Sequence, residues 1–437
     1  MTLLGITGSD PQGLTPFRRI ATAKAVAIIG ILAMASLSSS QPASNAVVTG
    51  TEVLAQSGFA ALAGKRVGLI TNQTGRVGND HLADLLSKAP NVTLAAILAP
   101  EHGFRGEAEA GAKVRDAVDA GTGVPVFSLY GATKKPTPAM LRNVDVLVFD
   151  IQDIGTRFYT YISTMGLAMQ AAAAARIPFV VLDRPNPLGG DYVSGFVLEP
   201  PLRSFVGQYP IPIVHGMTVG ELARMIKGEK WLSGLDGLDL TVVAMRGWQR
   251  SMRWPELQRP WVATSPNIPT FEAALVYPGM GIVGEAKVNE GRGTPTPFSV
   301  FGAPWLHAAR TLERLNALHL PGVRFESTDF TPRSIPGVAA HPRFEGKPIS
   351  GVRIVVTDVA RIEPLEAGVH VLAALAAEGR SKGMARLFGN MGMFTAIAGT
   401  RRLHRMLAND SDGTDIIAAW QAEVGQFRAL RARYLLY

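Results

Sequence analysis

Two short runs hold the residue types that do chemistry. They are Pro100-Glu101-His102-Gly103-Phe104-Arg105-Gly106 and Asn289-Glu290-Gly291-Arg292-Gly293-Thr294. Glu101 directly follows an apolar stretch. A carboxyl at the edge of a buried strand is pushed upward by desolvation, so it can hold a proton near neutral pH, as a general acid must. The plainer reading is a surface carboxylate ion-paired with Arg105. His102 reads either as a second acid/base or as a hydrogen-bonding neighbour. In the second run Glu290 and Arg292 sit between glycines, which marks a tight loop whose backbone can approach a ligand. An ordinary glycine turn with a charge pair is the alternative. Two carboxylates facing each other across one groove are what hydrolysis of a glycosidic bond requires.

Other polar residues gather after apolar runs. Asn72 follows the first run; Asp150, Asp153, Arg157, Tyr159 and Tyr161 follow another; Asp183, Arg184 and Asn186 follow a third. Asn, Asp and Gly end strands for turn reasons alone, which covers Asn72 and Asn186. It does not cover Glu101-His102 or the stretch from Asp150 to Arg157. Trp248, Trp254 and Trp261 lie close together among Arg, Gln and Pro. They suit contact with a sugar face, or they pack a loop onto the core.

The elements that must position these residues are legible in the pattern. Runs at 66–71, 93–99, 124–129, 144–150 and 178–183 are largely β-branched or aliphatic rather than alternating. Strands buried on both faces look like that, which predicts a parallel sheet covered by helices. Helical patterns at 81–89 and 163–176 alternate with them, and a third at 218–231 opens on Thr218 with Glu221 three residues on, a capping box. With a further strand at 238–244, this predicts an α/β, Rossmann-like, doubly wound and mostly parallel sheet. In such sheets ligands bind beyond the carboxyl ends of the strands, where the polar residues gather. Residues 247–304, rich in Pro, Gly and Trp, read as loops near a cleft. Helices at 303–317, 364–378, 394–408 and 415–434, with strands at 323–327 and 352–357, predict a second, smaller α/β domain. The expected division is 1–46, 47–275 and 276–437.

Composition narrows the classes. The chain has 437 residues, 47% hydrophobic and 18% charged, with no cysteine. That fits a folded chain and excludes disulfides, thiolate metal sites and cysteine nucleophiles. The net charge of +8 is spread thinly, so no nucleic-acid partner is read from it. Arg18, Arg19 and Lys24 precede an apolar run at 25–37 and then Ser44-Asn45-Ala46. This is the order of an export signal cleaved near Ala46, and the run is short of the roughly 20 residues a membrane-crossing helix needs. The expected mature chain is exported, periplasmic or secreted, with no stable membrane span. Gly279-x-Gly281-x-x-Gly284 matches a dinucleotide fingerprint, but residues 285–291 lack helical periodicity and the match lies far from the first βα turn. No nucleotide or other cofactor is expected, and no motif for zinc, nucleotide or serine-esterase chemistry is present. No metal is assigned, although scattered His102, His215 and aspartates leave that alternative open.

Together these segments resemble the NamZ-type exo-β-N-acetylmuramidases. The matching segments are GLITNQTG at 68–75, PEHGFRG at 100–106, SLYG at 128–131, FDIQDIGTRFYTYISTM at 149–165 and VLDRPNPLGG at 181–190. They continue with YPIPIVHGMTVGELA at 209–223, SPNIPT at 265–270, NEGRGTPTPF at 289–298 and GAPW at 302–305. The lead-in Gly284-Glu285-Ala286-Lys287 departs from the family pattern. The resemblance implies a cleft between two domains and release of N-acetylmuramic acid from the non-reducing ends of peptidoglycan fragments. It implies Glu101 and then Glu290 as catalytic candidates, and His102 joins them from its place beside Glu101. His215 and Asn267 in the matched segments join Asn72, Arg105, Asp150, Asp153, Arg157, Tyr159, Tyr161, Asp183, Arg184, Asn186 and Arg292 as substrate-binding candidates. Arg157, Arg292 and Arg105 are the candidates for the substrate's lactyl carboxylate. A non-catalytic binder of cell-wall saccharides is the competing reading, and a nicotinamide-dependent oxidoreductase a third.

Overall fold

The computed structural model describes residues 46–106 and 116–437. The expected export segment lies outside the described residues up to Asn45. Residues 45–437 form one compact unit.

Strands β1 (Arg66–Thr71), β2 (Thr93–Ala99), β3 (Ala117–Val118), β4 (Pro125–Ser128), β5 (Val146–Asp150), β6 (Phe179–Leu182) and β7 (Leu240–Val243) build one sheet. Its order is β3-β4-β2-β1-β5-β6-β7. Every neighbouring pair is parallel except the short edge pair β3 and β4. The chain therefore winds outward from β1 to β4, returns to β5 beside β1, and winds out the other way. This is the doubly wound order, with its reversal between β1 and β5. The aliphatic runs explain themselves in the packing. Val67, Leu69, Val146 and Val148 face one core with Leu82 and Leu86. Ile70, Leu147 and Phe149 face the other core with Ile162 and Met165.

Helix α1 (Tyr161–Ala175) follows β5, and α2 (Val219–Gly228) follows β6. The capping box forms at α2 as expected: Thr218 accepts from the Glu221 amide and Glu221 reaches back to the Thr218 amide. A second, antiparallel sheet has the order β8 (Val300–Gly302), β10 (Ile349–Val356), β9 (Val323–Phe330). Its residues Phe301 and Val352 belong to the same core as Phe149.

The expectation of loops throughout 247–304 fails at α3 (Phe271–Val283), a helix with Pro278 inside it. Tertiary contact overrides propensity here. A side chain on Gly279 would sit 2.7 Å from the Cα of Gly368 in α4 (Pro364–Ser381). The glycine pattern thus lets two helix backbones touch, and its last members face Phe158 and Glu290. Nothing in it opens a helix toward a phosphate. α3 also runs across residue 275, where the domain boundary was expected.

Candidate active site

Glu101 stands just beyond β2. The backbone turns sharply there: the Gly103 amide donates to the Pro100 carbonyl at 3.0 Å, and His102 and Gly103 both hold positive φ, 71° and 79°. A left-handed histidine is costly, so the turn is over-determined by its surroundings. Thr160 occupies the N-cap position of α1 but makes no side-chain cap bond. Its hydroxyl donates instead to Glu101 Oε2 at 2.9 Å. Tyr130, beyond β4, also hydrogen-bonds to Glu101; burial first, then that negative charge, push the phenol upward. Three strand ends thus converge on one carboxyl.

The second run reaches the same place by a different route. In the loop at 289–298, the Asn289 side chain accepts from the Gly291 amide and donates to the carbonyls of Arg292 and Arg343. The Phe298 amide donates to the Glu290 carbonyl at 2.8 Å. Gly291 and Gly293 have φ of 89° and 79°, and side chains there would strike backbone of Thr296 and Arg333. Arg292, held between them, pairs with Glu290 and lies over the Phe298 ring, 4.9 Å from its centre.

One pocket is lined by Glu101, His102, Thr160, Asn267 and Arg292, with Phe158, Tyr159, Tyr161, Tyr277 and Phe298 among its walls. The aromatic walls form a chain of ring contacts: Tyr161 to Tyr159 at 4.9 Å, Tyr159 to Tyr277 at 5.8 Å, Tyr277 to Phe298 at 4.9 Å. Tyr277 is raised first by burial, and it feels Arg292, Glu101, Glu285 and Glu290 together. The stretches at 100–106 and 289–294, remote in sequence, share this one cavity.

The pocket collects Glu101, His102, Tyr159, Tyr161, Asn267 and Arg292 from the expected residues. Glu290 lies behind Arg292 with its side chain 6% exposed, and its carboxyl packs against Gly284. The remaining candidates are not in the lining. Arg157 requires the clearest correction: it is fully buried and donates to the carbonyls of Phe196, Ile211 and Ile397. Burial pushes it down to about 9. Arg105 pairs with Asp119 at 2.9 Å. Asp150 accepts from Arg184 at 2.6 Å and from Thr51 at 2.7 Å. Asp183 accepts from Gly220, Thr218 and Tyr437, and desolvation holds it up to about 6. Asn186 makes a local turn to the Leu188 amide, and Asn72 makes another to Thr74. Asp153 accepts from the Gly155 amide. His215 accepts from the Met217 amide, and burial with the charges of Arg431 and Arg157 lowers it to about 3. The tryptophans also pack rather than line: Trp248 against Tyr437, and Trp254 against Trp261. Among the described residues no group of three or more His, Cys, Asp or Glu comes together as metal ligands.

Sequence reading missed Thr160, Tyr277 and Phe298. Thr160 carried a signal, since it starts a helix inside the run after β5. Tyr277 sat in a stretch read as loop.

A carboxyl held by two hydroxyl donors, a guanidinium opposite it and aromatic walls at the reversal of a doubly wound sheet are the equipment of a saccharide hydrolase. Comparison with known proteins agrees. The models of the N-terminal and C-terminal parts of the exo-beta-N-acetylmuramidase NamZ match residues 67–272 and 275–437. A Bacillus subtilis (strain 168) protein, the peptidoglycan beta-N-acetylmuramidase NamZ, is 44% identical over 395 residues, covering 90% of this chain and 91% of its own. Two crystal structures of Bacteroides fragilis proteins of the DUF1343 family are similar. One has a TM-score of 0.82 at 40% identity, the other 0.73 at 35%, each covering 90% of this chain and 99% of its own. The chain belongs to the NamZ exo-β-N-acetylmuramidase family.

Proposed function

We propose that this chain hydrolyses the β-glycosidic bond of a terminal N-acetylmuramic acid residue in peptidoglycan fragments, with Glu101 delivering the proton to the leaving oxygen. The observation that carries the reading is the shared cavity: Glu101 from beyond β2 and Arg292 from the 289–298 loop line one aromatic-walled pocket. Hydroxyl donors on Glu101 stabilise its carboxylate, and that is the form left once the proton has moved. They act most strongly late in the proton transfer, where a catalyst gains. Tyr159, Tyr161, Tyr277 and Phe298 supply flat apolar contact for the sugar ring. Asn267 donates its amide N–H to the Val338 carbonyl at 2.7 Å, which leaves Oδ1, without a partner among the described residues, to accept from a substrate N–H or O–H. The second half of the reaction falls to the Glu290–Arg292 pair or to the substrate's own acetamido oxygen. The anomeric configuration of the released sugar distinguishes inversion from retention.

Glu101→Gln, assayed on a chromogenic β-N-acetylmuramide, is expected to lose at least about 10²-fold in kcat. Turnover near wild type would remove Glu101 from the mechanism. Retention of peptidoglycan by the wild type without release of free sugar would favour a binding protein instead.

We also propose export, supported by the order of Arg18, Arg19, the apolar run and Ser44-Asn45-Ala46. Mass spectrometry of the exported chain is expected to find its first residue near 47, and a chain starting at Met1 would overturn this.

A further inference from the structure

We infer that Arg292 is the specificity-determining residue of this pocket, receiving the carboxylate of the lactyl ether that distinguishes an N-acetylmuramic acid from an N-acetylglucosamine residue. The inference rests on the muramidase reading above and deepens it. A substrate that carries a carboxylate into an aromatic-walled pocket must be met there by a cation, because a desolvated unpaired charge is expensive. Among the described lining residues, Arg292 is the arginine, and no lysine accompanies it.

The other arginines expected at the site lie outside the pocket's lining. Arg157 spends its two terminal nitrogens on three carbonyls in the core, Arg184 is tied to Asp150 and Thr51, and Arg105 is tied to Asp119. Arg292 lines the pocket. Its side chain is 37% exposed. Glu290 takes the Nη1 side, and a guanidinium has five donors in a planar fork. The other edge can meet a second carboxylate with two parallel bonds.

The surroundings hold that edge in place before substrate arrives. Phe298 lies beneath the guanidinium. Gly291 and Gly293 fix the backbone on either side, and the Arg333 amide ties the Gly293 carbonyl at 2.9 Å. Glu290 packs against Gly284, where a side chain would come within 3.2 Å of its carboxyl carbon. A preorganised two-point donor discriminates against a sugar that lacks the acceptor, because the guanidinium's open edge then makes no bond to the ligand.

The test compares 4-nitrophenyl β-N-acetylmuramide with the corresponding β-N-acetylglucosaminide for wild type, Arg292→Ala and Arg292→Lys. Inhibition constants for free N-acetylmuramic acid and N-acetylglucosamine give the same preference in a binding readout. The preference for the muramic sugar is expected to fall by about 10- to 100-fold in Arg292→Ala, the size of a lost hydrogen-bonded charge contact, and by less in Arg292→Lys. The loss should lie mainly in KM for the muramide. Two results would overturn the inference: an unchanged preference, or an equal loss on both sugars. A wild type that releases no muramic sugar from any substrate would instead defeat the muramidase reading itself.

Discussion

Two polar regions stand at the carboxyl ends of the same sheet, and their arginines behave oppositely. Around Asp150, Asp183, Arg184 and Arg157, charged groups are buried and face one another or backbone carbonyls. Around Glu101 and Arg292, the same residue types face a cavity. Both regions obey the rule that polar residues gather where parallel strands end. The rule gives location and says nothing about which groups are already spoken for. Arg157 holds together three segments of backbone distant in sequence, so its chemistry is consumed by the fold. Arg292 is anchored on one edge only.

That contrast can be broken by exchanging the kind of damage each site suffers. Arg157→Met takes a donor from three buried carbonyls, of which that of Ile211 keeps the Leu198 amide, and should cost about 3 kcal/mol of stability. Chemical denaturation measures this, while kcat per folded molecule should stay near wild type. A stable Arg157→Met variant that fails on the substrate would move Arg157 into the pocket's chemistry and undo the comparison.

Thr160→Val asks for a smaller, inverse effect. Its hydroxyl is used on Glu101 and not on capping the helix. The variant should lose roughly 10-fold in kcat, as one hydrogen bond to a charged group would, with stability within about 0.5 kcal/mol of wild type. A drop in thermal midpoint without a drop in rate would make Thr160 a structural cap.

The subtlest effect is in pH. Desolvation raises Asp153 from 3.8 to about 7. Between those values the unfolded chain has released a proton that the folded chain still holds. Stability from this group is therefore fully present below about 3.8 and is lost as pH rises through about 7. Asp153→Asn keeps an acceptor for the Gly155 amide and removes the titration. Its thermal midpoint should gain on wild type by a few degrees between pH 4 and pH 8, read by calorimetry. A constant gap between the two across that range would show Asp153 ionised throughout.

Much of the scaffold was legible in the residues. Aliphatic runs without alternation marked strands covered on both faces, and β1 and β2 fall where the runs do. The glycine-rich stretch before Glu290 was not legible. Pro278, Gly279 and Gly281 oppose helix by propensity, yet contact with α4 makes them helical. Tyr277, a wall of the pocket, was hidden with them. The tryptophans took the packing role, one of the two open to them, because residue type cannot say which side of a loop faces solvent.

Residue types and their periods alone determined the parallel sheet, the rim where polar residues gather and the place of Glu101 on it, because each depends on neighbours close in the chain. Whether an arginine is consumed by carbonyls or free to meet a ligand depends on groups hundreds of positions away. Arg157 reaches Ile397 across 240 residues. Only the folded chain brings such partners within hydrogen-bond range, so only tertiary structure could separate the sealed charges from the working ones.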